Sequence, residues 1–234
     1  DHHPPGQRLS PIFATIHSSP QQTDKDNNVK LYTYEPAPNP KRVHLMMQYK
    51  GIDLETIPVD MMTGEQRSED FGRINPLHTL PVLILDDGTL LTEVISICSY
   101  LESLYPEKPL MGIEPLEKAQ ILGWSHWLFT QIFMPTADVF RNSNPAFAGH
   151  ALPGTLALEQ IPDLIDRGKA RLADNLPKVD RHLQDKEFLM GDAFTFADTE
   201  LLAWMSFLKM ARQPLPDSCG NIAAWQERAT AKLG

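Results

Sequence analysis

The sequence predicts an α/β unit over residues 29–105 followed by an all-α unit over residues 113–234, behind an N-terminal extension of residues 1–28. Three observations carry this. Before Tyr105, apolar runs of strand length alternate with helical periods. Asp86-Asp87-Gly88 separates two of those runs, Pro81–Leu85 and Thr89–Thr92, and an Asp-Gly pair in that setting marks a hairpin whose turn needs a positive φ. After the Pro/Gly-rich stretch Pro106–Gly112, every periodic segment has helical spacing.

Val29–Tyr34 reads as the first strand. Asn39-Pro40 reads as an N-cap followed by a proline at the first helical position, opening a helix over Lys41–Lys50. That helix sets Val43, Met46 and Met47 on one face and stops at Gly51. Leu54–Val59 is the second strand, and Gly64–Arg73 a short polar helix. The hairpin follows, then a helix over Glu93–Leu104 that ends at Tyr105-Pro106. The order β-α-β-α-β-β-α, a βαβ crossover joined to a ββα unit, is that of a thioredoxin-like domain. In the all-α unit, Leu116–Phe140 carries Ile121, Trp124, Leu128 and Ile132 at helical steps, with a kink expected at Pro135. Leu156–Gln184 reads as one helix or two, with Pro162 and Pro177 as the candidate breaks. Thr195 and Asp198 form a capping-box-like start for a helix through Met210, and Asn221–Leu233 makes the last one. Asp198 therefore has a structural role, worth about 0.5–2 kcal/mol as a cap.

Composition narrows the function classes. The net charge is −9 and the pI about 5.3, so there is no basic footprint for nucleic acid. No apolar run approaches the roughly 20 residues of a membrane span. Two cysteines, Cys98 and Cys219, suit a reducing, cytoplasmic setting without a disulfide framework. The eight histidines do not fall at ligand spacing with other His, Cys or acidic residues, so no metal is expected. The extension lacks the positive start and apolar run of a secretory signal, although its Pro11–Ile16 patch is apolar enough to dock on a domain.

The chemistry concentrates in Asn75–Leu101. Pro81 stands where a loop becomes a strand, and a cis Leu80–Pro81 bond is expected there, since proline alone adopts the cis form cheaply. Such a bend turns the Leu80 amide and carbonyl outward, free to pair with an extended peptide. Glu93 and Val94 open a helix whose unpaired amides make an anion site. Together these features suit a small peptide carrying a carboxylate and an amine.

The run NPLHTLP, the hairpin and the helix-opening Glu93 resemble the glutathione-binding half of the soluble glutathione transferases, especially insect delta and bacterial theta-like members. GDAFTFAD, over 191–198, resembles the segment that opens the core helix of that family's C-terminal domain. The resemblance spans residues 29 to the end. It implies that His78 reaches the glycine carboxylate of glutathione, that Thr79, Leu80 and Pro81 hold its backbone, and that Glu93 and Val94 hold the γ-glutamyl end. It also implies a homodimer, and a thiolate that attacks a small hydrophobic electrophile.

Two positions depart from the family pattern. Val94 replaces a serine hydroxyl, so binding through its amide alone is expected to be weaker. Ala37 occupies the place of the usual thiolate-stabilising serine. A free thiol has a pKa of about 8.5 and needs a donor to ionise near neutral pH. Asn39 is the first candidate, with helix capping as its competing role, and Tyr34 the second, with an ordinary strand role against it. Trp127 is the candidate for the electrophile pocket, although aromatics at helical spacing also build cores. Cys98 reads as buried, and no cysteine lies near Ala37, which argues against disulfide reduction. The competing reading is a non-catalytic glutathione binder or interaction protein on the same scaffold.

Overall fold

The computed structural model describes residues 29–234. The Pro11–Ile16 patch lies outside them. Strand β1 (Lys30–Thr33) pairs in parallel with β2 (Glu55–Pro58) and antiparallel with β3 (Val82–Ile84), which pairs antiparallel with β4 (Leu90–Leu91). The sheet order is β2-β1-β3-β4, the thioredoxin-like arrangement that the element order predicts. The β3–β4 turn closes by the Gly88 amide donating to the Leu85 carbonyl, with Gly88 at φ +82.

Helices α1 (Pro38–Lys50) and α3 (Val94–Leu104) place Val43, Met46, Ile97 and Leu101 in the main core. On the other side of β1 and β3, helix α2 (Glu69–Ile74) sets Phe71 with Val59 and Val82 in a smaller cluster, its ring edge-on to Tyr32. The expected Gly64–Arg73 helix is divided. A 3₁₀ turn over Glu65–Arg67 precedes Ser68, which is extended and caps α2 by accepting from the Phe71 amide at 3.1 Å. Helix α1 also starts earlier than expected. Its N-cap is Ala37, and Asn39 lies inside the first turn between Pro38 and Pro40. Both prolines fit there because a first-turn amide has no intrahelical partner to lose.

The linker is clamped. Lys50 Nζ sits 2.7 Å from a Glu102 oxygen and donates to the carbonyls of Tyr105 and Lys108, while Glu102 Oε1 accepts from the Leu110 and Met111 amides. Beyond it, α4 (Pro115–Leu128), a π-helical stretch over Phe129–Phe133 and α5 (Met134–Ser143) form one continuous rod. In place of a simple kink at Pro135, the π stretch just ahead of it absorbs the disruption. Proline clashes with the carbonyl of residue i−4, here Gln131, and a widened turn relieves that clash. The displaced carbonyls find partners on the next helix: Arg171 Nη2 donates to Thr130 O at 2.5 Å and Asn175 Nδ2 to Gln131 O at 3.4 Å.

Residues 156–162 are not helical; Leu158 instead forms a β-bridge with His150. Helix α6 (Asp163–His182) starts directly after Pro162 and runs through Pro177, whose i−4 neighbour Ala173 is exposed so that water can take its carbonyl. Gly168 permits the close α5–α6 contact, because a Cβ there would lie 2.6 Å from the Pro135 carbonyl. Helix α7 (Phe196–Met210) is buried along most of its length, and α8 (Gly220–Ala231) packs against it and α6. No described helix is long and apolar enough to cross a membrane.

His44 on α1 meets the Thr33 hydroxyl at 2.7 Å. Burial holds its pKa below the ordinary 6.5, with Glu35 opposing that shift and Lys41 adding to it. A folded pKa below the unfolded one means that the unfolded chain binds more protons in the window beneath 6.5, so stability falls on acidification there. A urea series at pH 7.5 and 5.5 is expected to show a lower midpoint at the acid end, with a smaller drop in His44→Gln. Equal drops in both proteins would remove His44 as the cause.

Candidate functional site

The strand register brings the two halves of the site together. In β1–β3, Tyr32 pairs with Val82, so continuing the register by two residues sets Tyr34 level with Leu80. In β3–β4, Leu83 pairs with Leu91, and the same step sets Glu93 level with Pro81. The end of β1, the Leu80–Pro81 bend and the start of α3 therefore share one end of the sheet. The Leu80–Pro81 bond is cis, as the sequence predicts. Among the described residues, no backbone hydrogen bond uses the Leu80 amide or carbonyl.

Asn75, fully buried, builds the loop that leads to this bend. Its side-chain nitrogen donates to the Thr79 carbonyl (2.9 Å) and hydroxyl (3.1 Å), its side-chain oxygen accepts from the Leu77 amide, and its backbone carbonyl accepts from the His78 amide. Sequence reading gave Asn75 no role of its own; its place as the first residue of the NPLHTLP run is the local signal that marks it. His78 adopts a left-handed φ of 53, and its ring lies with Nδ1 at 2.8 Å from the Gln66 carbonyl and its edge against Gly72. In this geometry the imidazole braces the loop against α2.

The α1 terminus offers a single free amide. Pro38 and Pro40 carry none, the Lys41 amide donates to Ala37 O, and the Asn39 amide has no backbone acceptor among the described residues. The Asn39 side-chain oxygen is buried and also lacks a partner in the described structure. Tyr34 is half-buried at the strand end, and its carbonyl accepts from the Ala37 amide at 2.9 Å.

Glu93 and Val94 line a cleft of about 350 Å³ between α3 and α4, together with Arg42, Leu122, Ser125, His126 and Phe129. Glu93 is exposed, whereas the Val94 side chain is 4% exposed and belongs to the core, leaving its amide as what it can offer a ligand. Arg42 forms a buried ion pair with Glu200 of α7, and its guanidinium lies over the Trp204 and Phe196 rings at 5.0 and 5.9 Å. Burial lowers the Arg42 pKa to about 10, against the pull of Cys98 and Glu93, so it stays charged at neutral pH. Burial pushes the Cys98 thiol up to about 12 despite neighbouring Arg42, which leaves it protonated and inert. Trp127 is not in this cleft. At 100° per residue it lies on the opposite face of α4 from Leu122, Ser125 and Phe129, in a second cleft.

Two family models match the chain: the glutathione S-transferase N-terminal domain over residues 37–104 and the glutathione S-transferase C-terminal domain over residues 144–232. The chain belongs to the glutathione S-transferase family. It is 30% identical over 213 residues to glutathione S-transferase 3 of Zea mays, covering 87% of this chain and 90% of that one. It is 26% identical over 200 residues to glutathione S-transferase 2 of Saccharomyces cerevisiae, covering 85% and 84%. Among solved structures, a glutathione S-transferase domain-containing protein of Marinobacter aquaeolei superimposes with a TM-score of 0.79 at 30% identity, over 88% of this chain and all of that one.

Proposed function

We propose that this protein binds glutathione along the Leu80 edge and promotes attack of its sulfur on a small hydrophobic electrophile. The observation that carries this reading is the convergence, at one end of the sheet, of an unpaired Leu80 backbone, the Glu93–Val94 helix start and the single free amide of α1. The residues fit the tripeptide: Leu80 pairs with its backbone, the Val94 amide receives the γ-glutamyl carboxylate and Glu93 its amine. Bound glutathione supplies the nucleophilic sulfur. Asn39 takes the place of the missing hydroxyl at Ala37, through its amide or through a carboxamide whose oxygen and nitrogen exchange by rotation. Thr79 and Pro81 shape the edge, Tyr34 borders it, and His78 acts by bracing the loop rather than by direct contact. The electrophile enters beside Leu122, His126 and Phe129, and a cytoplasmic homodimer is the working form.

Calorimetry with glutathione, combined with the ultraviolet absorbance of the thiolate, tests the reading. Saturable binding with a thiolate signal at pH 7 is expected. Glu93→Gln should weaken binding about tenfold or more, as loss of a charge-assisted bond to the amine. Asn39→Ala should cut kcat about 10²-fold while the glutathione Kd changes little, the pattern of a donor used in the transition state. Equal losses in both constants, or a loss of stability alone, would remove Asn39 from the chemistry. Binding without a thiolate signal would support the second reading, a binder without turnover, which Ala37 and the core-buried Val94 favour.

A further inference from the structure

Between α5 and α6 the chain makes a long excursion whose two ends are fixed to the end of α5. The Gln160 side-chain nitrogen donates to the Arg141 and Asn144 carbonyls at 2.6 and 2.8 Å, and the Asn142 side-chain oxygen accepts from the Ile161 amide at 2.8 Å. Phe147 packs edge-on to Phe140, with ring centroids 5.3 Å apart. Above this base, the Ala151 amide donates to the Leu158 carbonyl and the Leu158 amide to the Gly149 carbonyl, which closes a loop over residues 149–158.

The tip of that loop is held differently. Among the described residues, no hydrogen bond reaches residues 152–157. Leu152 and Leu156 are 52% and 66% exposed, so the tip carries two large apolar side chains in water. Segments with few hydrogen bonds and little buried apolar surface open at the low end of the free-energy scale. Between the two leucines, Gly154 adopts φ +104, and a Cβ built on it would lie 3.9 Å from the Leu77 carbonyl oxygen. The tip therefore crosses from the helical unit to the loop, braced by Asn75, that presents Leu80. A lone exposed leucine is ordinary. Two of them flanking the point where this loop meets the proposed peptide edge mark a surface that gains burial when the edge is filled.

We infer, on the glutathione-binding reading above, that residues 149–158 are a flap that closes over glutathione bound along the Leu80 edge. Leu152 and Leu156 are the side chains that cover the peptide and set how fast it leaves. The base bonds stay in place, so the movement is confined to residues 152–157.

Hydrogen exchange read by mass spectrometry on the full chain tests the flap, with glutathione binding measured in parallel by calorimetry. Saturating glutathione should slow exchange across 152–157 about fivefold or more. Leu152→Ser combined with Leu156→Ser should remove that protection and speed glutathione dissociation about tenfold in a stopped-flow chase. The urea midpoint of this double variant should not move, since both side chains are exposed in the free protein. Gly154→Val puts a β-branched side chain at a left-handed φ beside Leu77, and in the free protein it should speed exchange over 76–80 about threefold. Glutathione binding with unchanged exchange at the tip, release from the double variant at the original rate, or exchange over 76–80 that ignores Gly154→Val would each overturn the flap and leave the proposed function standing. No glutathione binding to the unaltered chain would overturn that function and the flap with it.

Discussion

Arg42→Ala is expected to lower the unfolding free energy by about 3–5 kcal/mol, read as a shift of the urea midpoint. Arg42 is 4% exposed and Glu200 fully buried, and their ion pair joins α1 of the thioredoxin-like unit to α7 of the helical unit. Removing the guanidinium would leave a carboxylate in the core with no counter-charge and strip the cation from the Trp204 face. The network is already incompletely satisfied: Arg42 Nε, Glu200 Oε2 and Trp204 Nε1 have no partner among the described residues. For that reason Arg42→Met with Glu200→Leu should recover most of the loss, since an apolar pair needs no desolvation of charge. A single-variant loss under about 1 kcal/mol, or a double variant as unstable as the sum of the singles, would contradict this account.

Asp198→Ala should cost about as much, roughly 3–5 kcal/mol, well beyond the value of a helix cap. Its carboxylate is fully buried and accepts from the Leu189 amide (2.9 Å), the Thr195 amide (2.9 Å), the Thr195 hydroxyl (3.0 Å) and Trp225 Nε1 (2.9 Å). Truncation would strand several buried donors at about 1–3 kcal/mol each, offset by relaxation. Asp198→Asn keeps one acceptor oxygen and should lose less. If Asn and Ala variants unfold at the same midpoint, the donors are not what Asp198 supplies.

The contrast between these two residues shows where sequence reading stops. Thr195 and Asp198 are three positions apart, so their capping relation is a local pattern; the Trp225 bond, 27 residues on, is not. Arg42 and Glu200 are separated by 158 residues, and nothing in either neighbourhood marks the partner. Trp127 is a similar case. Helical periodicity puts it on a face of α4, but which cleft that face lines depends on how α6 packs beside it.

The sequence by itself determined the two-unit architecture, the order of strands and helices in the first unit, the cis bond before Pro81 and the helix that opens at Val94. Each of these depends on φ restrictions, turn chemistry or a period of two or 3.6 residues, which short stretches of chain impose on themselves. Tertiary structure alone decided that Asn39 lies within the first turn of α1, that the His78 ring turns to Gln66, that Val94 is a core side chain, and that the Trp127 cleft stands apart from Glu93. Those outcomes depend on which elements pack together, and close packing between residues distant in the chain leaves no periodic trace.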